Sequence, residues 1–148
     1  MSPLLIPPPA DLSGFPSYEL RPDHELFRIH WRRFGPWWFS HDAPLRFDLT
    51  LPYGTCYLAE DARGAFVEAF QAARAVIRFA EIAERRLSRL HVPRRLVLAD
   101  CTLSTALAFG VTAEIHSSPD RLATQLWARA ARAAGFDGIR HFVRHDPA

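Results

Sequence analysis

Residues 118–143 read SPDRLATQLWARAARAAGFDGIRHFV, and the fold expected of the chain turns on them. Ser118 suits an N-cap, Pro119 the first helical position, and Asp120 the positive end of a helix. Leu122, Leu126, Ala130 and Ala134 recur at i, i+4, so the spacing predicts an amphipathic helix that Gly135 stops. A short apolar strand over 138–143 follows at once. Helix and strand in such close succession point to a mixed architecture.

Upstream, the same mixture recurs. Residues 26–31 alternate Leu26, Arg28, His30 against Phe27, Ile29, Trp31, the period of a strand. Residues 37–39, 46–51 and 55–59 are further strand candidates between Pro and Gly turns, and Trp37 and Trp38 would point to opposite faces, putting at least one in the core. A helix is predicted from near Ala62 through GAFVEAFQAA, with Phe66 and Phe70 facing the core, and a weaker one over 79–84. RRLSRLHV (85–92) and RRLVLADC (94–101) read as two strands broken by Pro93, and a short helix over 103–109 ends at Gly110. The expectation is an α+β fold, a single domain of short mixed strands with several helices. Residues 1–22 hold Pro3, Pro7, Pro8, Pro9, Pro16 and Pro22, an extended lead-in at best draped on the surface, and 23–148 form the domain.

At 148 residues the chain is long enough for one real core. No apolar run reaches the length of a membrane span, and the proline-broken N-terminus lacks the basic start of a signal peptide. The net charge of +2 argues for no nucleic-acid partner. All 18 positive charges are arginines, a residue suited to bidentate binding of phosphates. Cys56 and Cys101 lie in apolar stretches and read as free thiols, which fits a cytoplasmic location.

The candidates for chemistry are few. Glu68 lies on a helix with Gly64 and Ala72 at i±4, without a local salt-bridge partner, so it is either a solvated surface residue or a carboxylate held near a ligand. Arg28 and Arg46 sit inside short apolar runs, as on a pocket wall or an exposed strand face. Tyr53 and Tyr57 flank a turn at Gly54, where an aromatic either stacks on a flat ring or fills the core. His141 and His145 are spaced i, i+4, but that spacing chelates only on a helix, so no metal site is expected. No G-x-S-x-G elbow occurs. The stretch RRLSRLHVPRR alternates with leucines and reads as a half-buried strand pair.

The order of the pieces carries more than any one of them. FRIHWRRFGPWWFS, RFDLTLPYGTCYLAED, AFVEAF, LSRLHVPRRLVLADCT and ATQLWARAARAAGFDGIRHFVRHDPA, in succession from about residue 26 to the C-terminus, resemble the RES domain family. That resemblance implies an ADP-ribosyltransferase-like fold. It also implies a toxin of a toxin–antitoxin pair with an Xre-like antitoxin as partner, homodimerisation being left open. The implied activity is breakdown of NAD as substrate, without a resident cofactor. Phosphate or water would accept the ribosyl group, as in an NAD phosphorylase or glycohydrolase; protein ADP-ribosylation is the alternative.

Carried over by position, the resemblance makes Arg28, Arg46 and Glu68 catalytic, and adds Tyr57, Tyr53 and Arg144, with the two arginines, as substrate-binding residues. A carboxylate would stabilise charge developing on the ribose, arginines would grip phosphates, and a tyrosine face would hold the nicotinamide. Two departures stand out. The family's Arg-Tyr-x-Ser-Arg-His reads Arg140-His141-Phe142-Val143-Arg144-His145 here, with Val143 in place of the serine. The chain also stops at Ala148, where family members usually continue into one more strand. Both favour a third reading, a catalytically weak module that binds an antitoxin or NAD.

Overall fold

A computed structural model describes residues 5–41, 45–70 and 77–142. Its elements in chain order are β1 (Ser17–Leu20), β2 (Leu26–Trp31), α1 (Ala62–Phe70), α2 (Phe79–Ala83), β3 (Arg85–Leu90), β4 (Leu96–Asp100), a 3-10 turn (Ser104–Phe109), α3 (Glu114–Ser117), α4 (Arg121–Ala133) and β5 (Gly138–Arg140). The α+β expectation holds. Strand β4 lies between β1, antiparallel to it, and β5, parallel to it. The parallel pair needs a long crossover, and the 3-10 turn, α3 and α4 supply it. Strands β2 and β3 form a separate antiparallel ribbon from Leu26↔Leu90 to Trp31↔Arg85, and α1 packs on β2.

The main core joins Phe47, Ala99, Cys101, Ala106, Val111, Ile115, Trp127, Ala128 and Ala131 to Leu12 and Phe15. This corrects the surface lead-in. The proline-rich segment puts Leu12 and Phe15 into the core, and its β1 covers one edge of β4. Its prolines precede the strand or sit outside it, so none removes a ladder hydrogen bond.

Helix α4 exists as expected, with two corrections. Its N-cap is Asp120, whose carboxylate accepts from the Ala123 N–H at 3.2 Å; Ser118 ends α3 and accepts from the Asp120 N–H through its hydroxyl at 3.1 Å. Its buried face is Thr124, Gln125, Trp127, Ala128 and Ala131, while Leu122 is 64% exposed. The helix rotates to bury its largest side chain: Trp127 is sealed in the core and its indole N–H donates to the Ile6 carbonyl at 2.9 Å. Gly135, at φ +96, takes the left-handed conformation that stops the helix.

The candidates at 37–39, 46–51 and 55–59 are not strands. Only the isolated bridges Ser40↔Thr55 and Phe27↔Ala59 form there. Side chains take over the ladder's work: the Leu49 N–H donates to Thr55 Oγ1, which donates to the Phe47 carbonyl. Gly54 lets Phe39 and Ser40 approach, since a Cβ there would meet Phe39 Cβ at 2.9 Å. Neither tryptophan of the pair at 37 and 38 is core; Trp38 stacks on Phe34 at 4.5 Å instead. On α1 the buried residues are Gly64, Ala65, Val67 and Phe70, and Phe66 is exposed. Phe66 stands one turn before Phe70 at the exposed margin of that stripe, with the two ring centroids 4.9 Å apart.

Candidate active site

Helix α1 sets the position of Glu68. Asp61 precedes the helix and its carboxylate accepts from the Gly64 N–H at 2.6 Å, while the Phe27–Ala59 bridge ties the approach to β2. Glu68 follows Ala65 and Gly64 by three and four residues, so it rises beside the buried stripe rather than opposite it. The side chain is open to solvent, yet enough protein surrounds it to push its carboxyl pKa up; Arg46 and Arg121 oppose that shift. The carboxylate is thus accessible while its charged form is disfavoured by the surrounding protein.

Arg46 acts electrostatically on Glu68 from a buried position. It is 8% exposed, and its Nη1 donates to the Ser118 carbonyl at 2.6 Å. The loop that carries it is held through its backbone by α4. The Thr124 hydroxyl donates to the Arg46 carbonyl, and the Gln125 amide donates to the Leu45 carbonyl at 2.9 Å. Asp48, 1% exposed, accepts from the hydroxyls of Tyr57 and Ser40 at 2.9 and 2.7 Å. The Tyr57 hydroxyl also accepts from the Phe47 N–H at 2.8 Å. Burial, then Asp48, and last Glu68 raise the Tyr57 pKa, so the phenol stays protonated beside the carboxylate.

Because that hydroxyl serves the buried Asp48, Tyr57→Phe strands the Phe47 N–H and one Asp48 oxygen. A loss of about 1–3 kcal/mol is expected, read as a lower urea midpoint at unchanged slope.

Two histidines lie within electrostatic reach of Arg46. His116 Nδ1 accepts from the Phe142 N–H at 3.1 Å, and the ring also bonds the Cys101 backbone. His141 Nδ1 bonds the Phe142 carbonyl at 2.9 Å, and its ring meets Phe47 edge-on at 4.8 Å. Burial first holds both pKa values down, to about 4. His116 also feels His141 and Arg46, and His141 feels Arg46. Both are neutral at pH 7 in the folded state, whereas in the unfolded chain they titrate near 6.5. Between those values the unfolded chain binds more protons, so their contribution to stability is full above pH 6.5 and is lost as pH falls toward 4. Glu68, shifted up, acts with the opposite sign. In His141→Asn the fall in urea midpoint between pH 7 and 4.5 should therefore be smaller than in the wild type.

Of the residues expected from sequence, Arg46 and Tyr57 belong to one hydrogen-bonded loop, and Glu68 is within electrostatic reach of both. Arg28 is engaged elsewhere: its Nη1 donates to the Pro36 and Trp38 carbonyls at 2.7 and 2.6 Å and lies 3.0 Å from Cys56 Sγ, pinning the 36–38 loop to the ribbon. Tyr53 is half exposed, with the Arg132 guanidinium 3.6 Å over its ring, near the far end of α4. Arg144 and Val143 lie outside the described residues. Arg121, His116 and His141 were missed as a group. Each is a single residue at the end of an element, and no periodicity marks such positions.

Nearby, Arg140 bonds Asp100 and Glu60, each at 3.2 Å, and lies over the Tyr18 ring at 4.3 Å. This arginine joins β5 to β4, β1 and the approach to α1.

The model of the RES domain matches residues 25–148, and the chain belongs to that family. Among solved structures, the chain resembles one in the crystal structure of the M. tuberculosis MbcT–MbcA toxin–antitoxin complex. The TM-score is 0.67 at 20% identity, over 82% of this chain and 69% of that one, and the likeness is one of fold. A search of the curated proteins finds no match. Among the described residues, no helix is long and apolar enough to cross a membrane.

Proposed function

We propose that this protein is the toxin of a toxin–antitoxin pair and cleaves the nicotinamide–ribose bond of NAD, with phosphate or water as acceptor. The observation that carries the reading is Glu68: a solvent-accessible carboxylate whose pKa the surrounding protein raises, within electrostatic reach of Arg46, Arg121 and Tyr57. Breaking the C–N bond sends its electron pair to nicotinamide and leaves positive charge on the ribose. A poorly hydrated carboxylate stabilises that charge more than it stabilises the neutral ribose of the ground state. The acceptor oxygen then bonds to the same carbon and gives up its proton, yielding ADP-ribose from water or its 1″-phosphate from phosphate. NAD enters as a substrate, and no resident cofactor is needed.

The family and the fold shared with a chain of a toxin–antitoxin complex support an antitoxin partner, and the cytoplasm, where NAD is present, is the place of action. Arg46 supplies positive potential at Glu68. Arg28, committed to the 36–38 loop, supports the wall rather than the reacting atoms. The second reading, a module that binds without turnover, is favoured by Val143, which offers no hydroxyl where the family pattern has serine.

The test is nicotinamide release from NAD by antitoxin-free protein, with and without phosphate, followed by proton NMR. Release with ADP-ribose 1″-phosphate as product identifies a phosphorylase, and free ADP-ribose a glycohydrolase. ADP-ribose attached to protein identifies a transferase. Folded protein that releases none sinks the enzyme reading.

A further inference from the structure

The two-stranded ribbon has an outer face that the described chain covers only in part. Opposite residues of an antiparallel pair share a face, so Trp31 stands with Arg85, Ile29 with Leu87 and Phe27 with Arg89. Arg28 and the buried His30 belong to the other face, so this surface lies across the ribbon from Arg28. Helix α1 packs on β2, and Leu87 of β3 is left 51% exposed. Phe66 at the margin of α1 and Trp31 at the end of β2 are exposed as well. An apolar sheet face is stable when a second layer buries it, and here α1 supplies that layer mainly over β2.

Rings and guanidiniums continue round the end of the ribbon in one chain of contacts. The Arg85 guanidinium lies 3.7 Å over the Trp31 ring and 5.4 Å over that of Phe70, and Arg33 lies 5.1 Å from both Trp31 and Phe34. Phe34 in turn stacks on Trp38 at 4.5 Å, within 10° of parallel. Both tryptophans remain exposed. Exposed tryptophan beside arginine is the pairing that carries the binding energy of many protein interfaces. The charge here is one-sided. Arg33 engages only the two rings and Arg32 holds the Ala83 carbonyl at 3.4 Å, so among the described residues neither meets a carboxylate.

We propose that this face docks an amphipathic helix of a partner polypeptide, its apolar stripe over Leu87, Trp31 and Phe66 and its acidic residues toward Arg32 and Arg33. A helix laid beside α1 would extend the covering layer over β3, and acidic residues would meet the two uncompensated cations. Two other occupants suit the surface less. Single-stranded nucleic acid stacks its bases on open ring faces, whereas Phe34 and Trp38 cover one another and Arg85 covers Trp31. A second copy docked about a two-fold axis would bring the same cations against each other. The assignment stands apart from the NAD-cleaving reading.

The experiment titrates the purified chain, by calorimetry, with a synthetic helix that has a leucine stripe and glutamate flanks. The same helix with lysine flanks and an oligo-uridine serve as comparisons. The glutamate helix should bind at least about tenfold more tightly than the lysine helix, and Leu87→Ser and Arg33→Glu should each weaken it about tenfold or more. Both positions are exposed, so the thermal midpoints should stay near wild type. No binding of the glutamate helix, equal binding of the two helices, or unchanged affinity in both variants overturns the proposal. Tighter binding of oligo-uridine, lost in Arg33→Glu, would make the surface one for nucleic acid. A dimer in sedimentation that Leu87→Ser dissociates would make it a contact between copies. Either result also removes the partner helix.

Discussion

Glu68→Gln is expected to lower nicotinamide release about 10²–10³-fold while leaving the thermal midpoint within a few degrees of wild type. The amide keeps the volume and a carbonyl oxygen but loses the negative charge. Glu68 makes no ion pair with a described residue, so few contacts are lost from the fold. Loss of charge also leaves Arg46 and Arg121 uncompensated beside a ribose that is becoming cationic, so kcat falls more than KM rises. NMR detection of nicotinamide gives the rate, and circular dichroism melting gives the control. A rate within threefold of wild type would show that Glu68 is not the group that meets the reacting carbon.

Trp127→Ala is expected to cost about 3–5 kcal/mol of stability. The indole is 2% exposed, contacts Phe15 at 6.4 Å between centroids, and donates to the Ile6 carbonyl. Truncation leaves a cavity between the crossover helix and the N-terminal segment, and it takes the indole donor away from the Ile6 carbonyl. Urea unfolding should show a lower midpoint with a similar slope. The active-site loop is held by Thr124 and Gln125 on the same helix. Residual activity should therefore fall in step with the folded fraction; a soluble, fully folded variant without activity would mean that Trp127 acts on the site directly.

The elements with strong local signals were legible in sequence. β2 alternates cleanly and runs Leu26–Trp31 as expected, and α1, α2, β3, β4 and α4 fall within a few residues of their predicted places. The stretch 36–57 was not, because its order comes from afar: Thr55, Tyr57 and Asp48 satisfy its backbone, and α4 grips two of its carbonyls from about 80 positions away. The same reason hid part of the site. Glu68, Arg46 and Tyr57 came through a family pattern, whereas Arg121, His116 and His141 gather only when the crossover returns β5 beside β4. Arg28 and Tyr53 show the converse. Residue types suited to a phosphate and a ring were present, and the fold gave their polar and aromatic surfaces to the protein's own carbonyls and to Arg132.

β1 lies before the span that the family model matches. A fragment trimmed to the matched span would lose one of the two strands that flank β4 and, with Leu12 and Phe15, part of the main apolar core. The uncovered edge of β4 would present unpaired N–H and C=O groups, an invitation to pair with another chain. For this molecule the homologous unit is shorter than the cooperative one, and the proline-rich leader belongs to the latter.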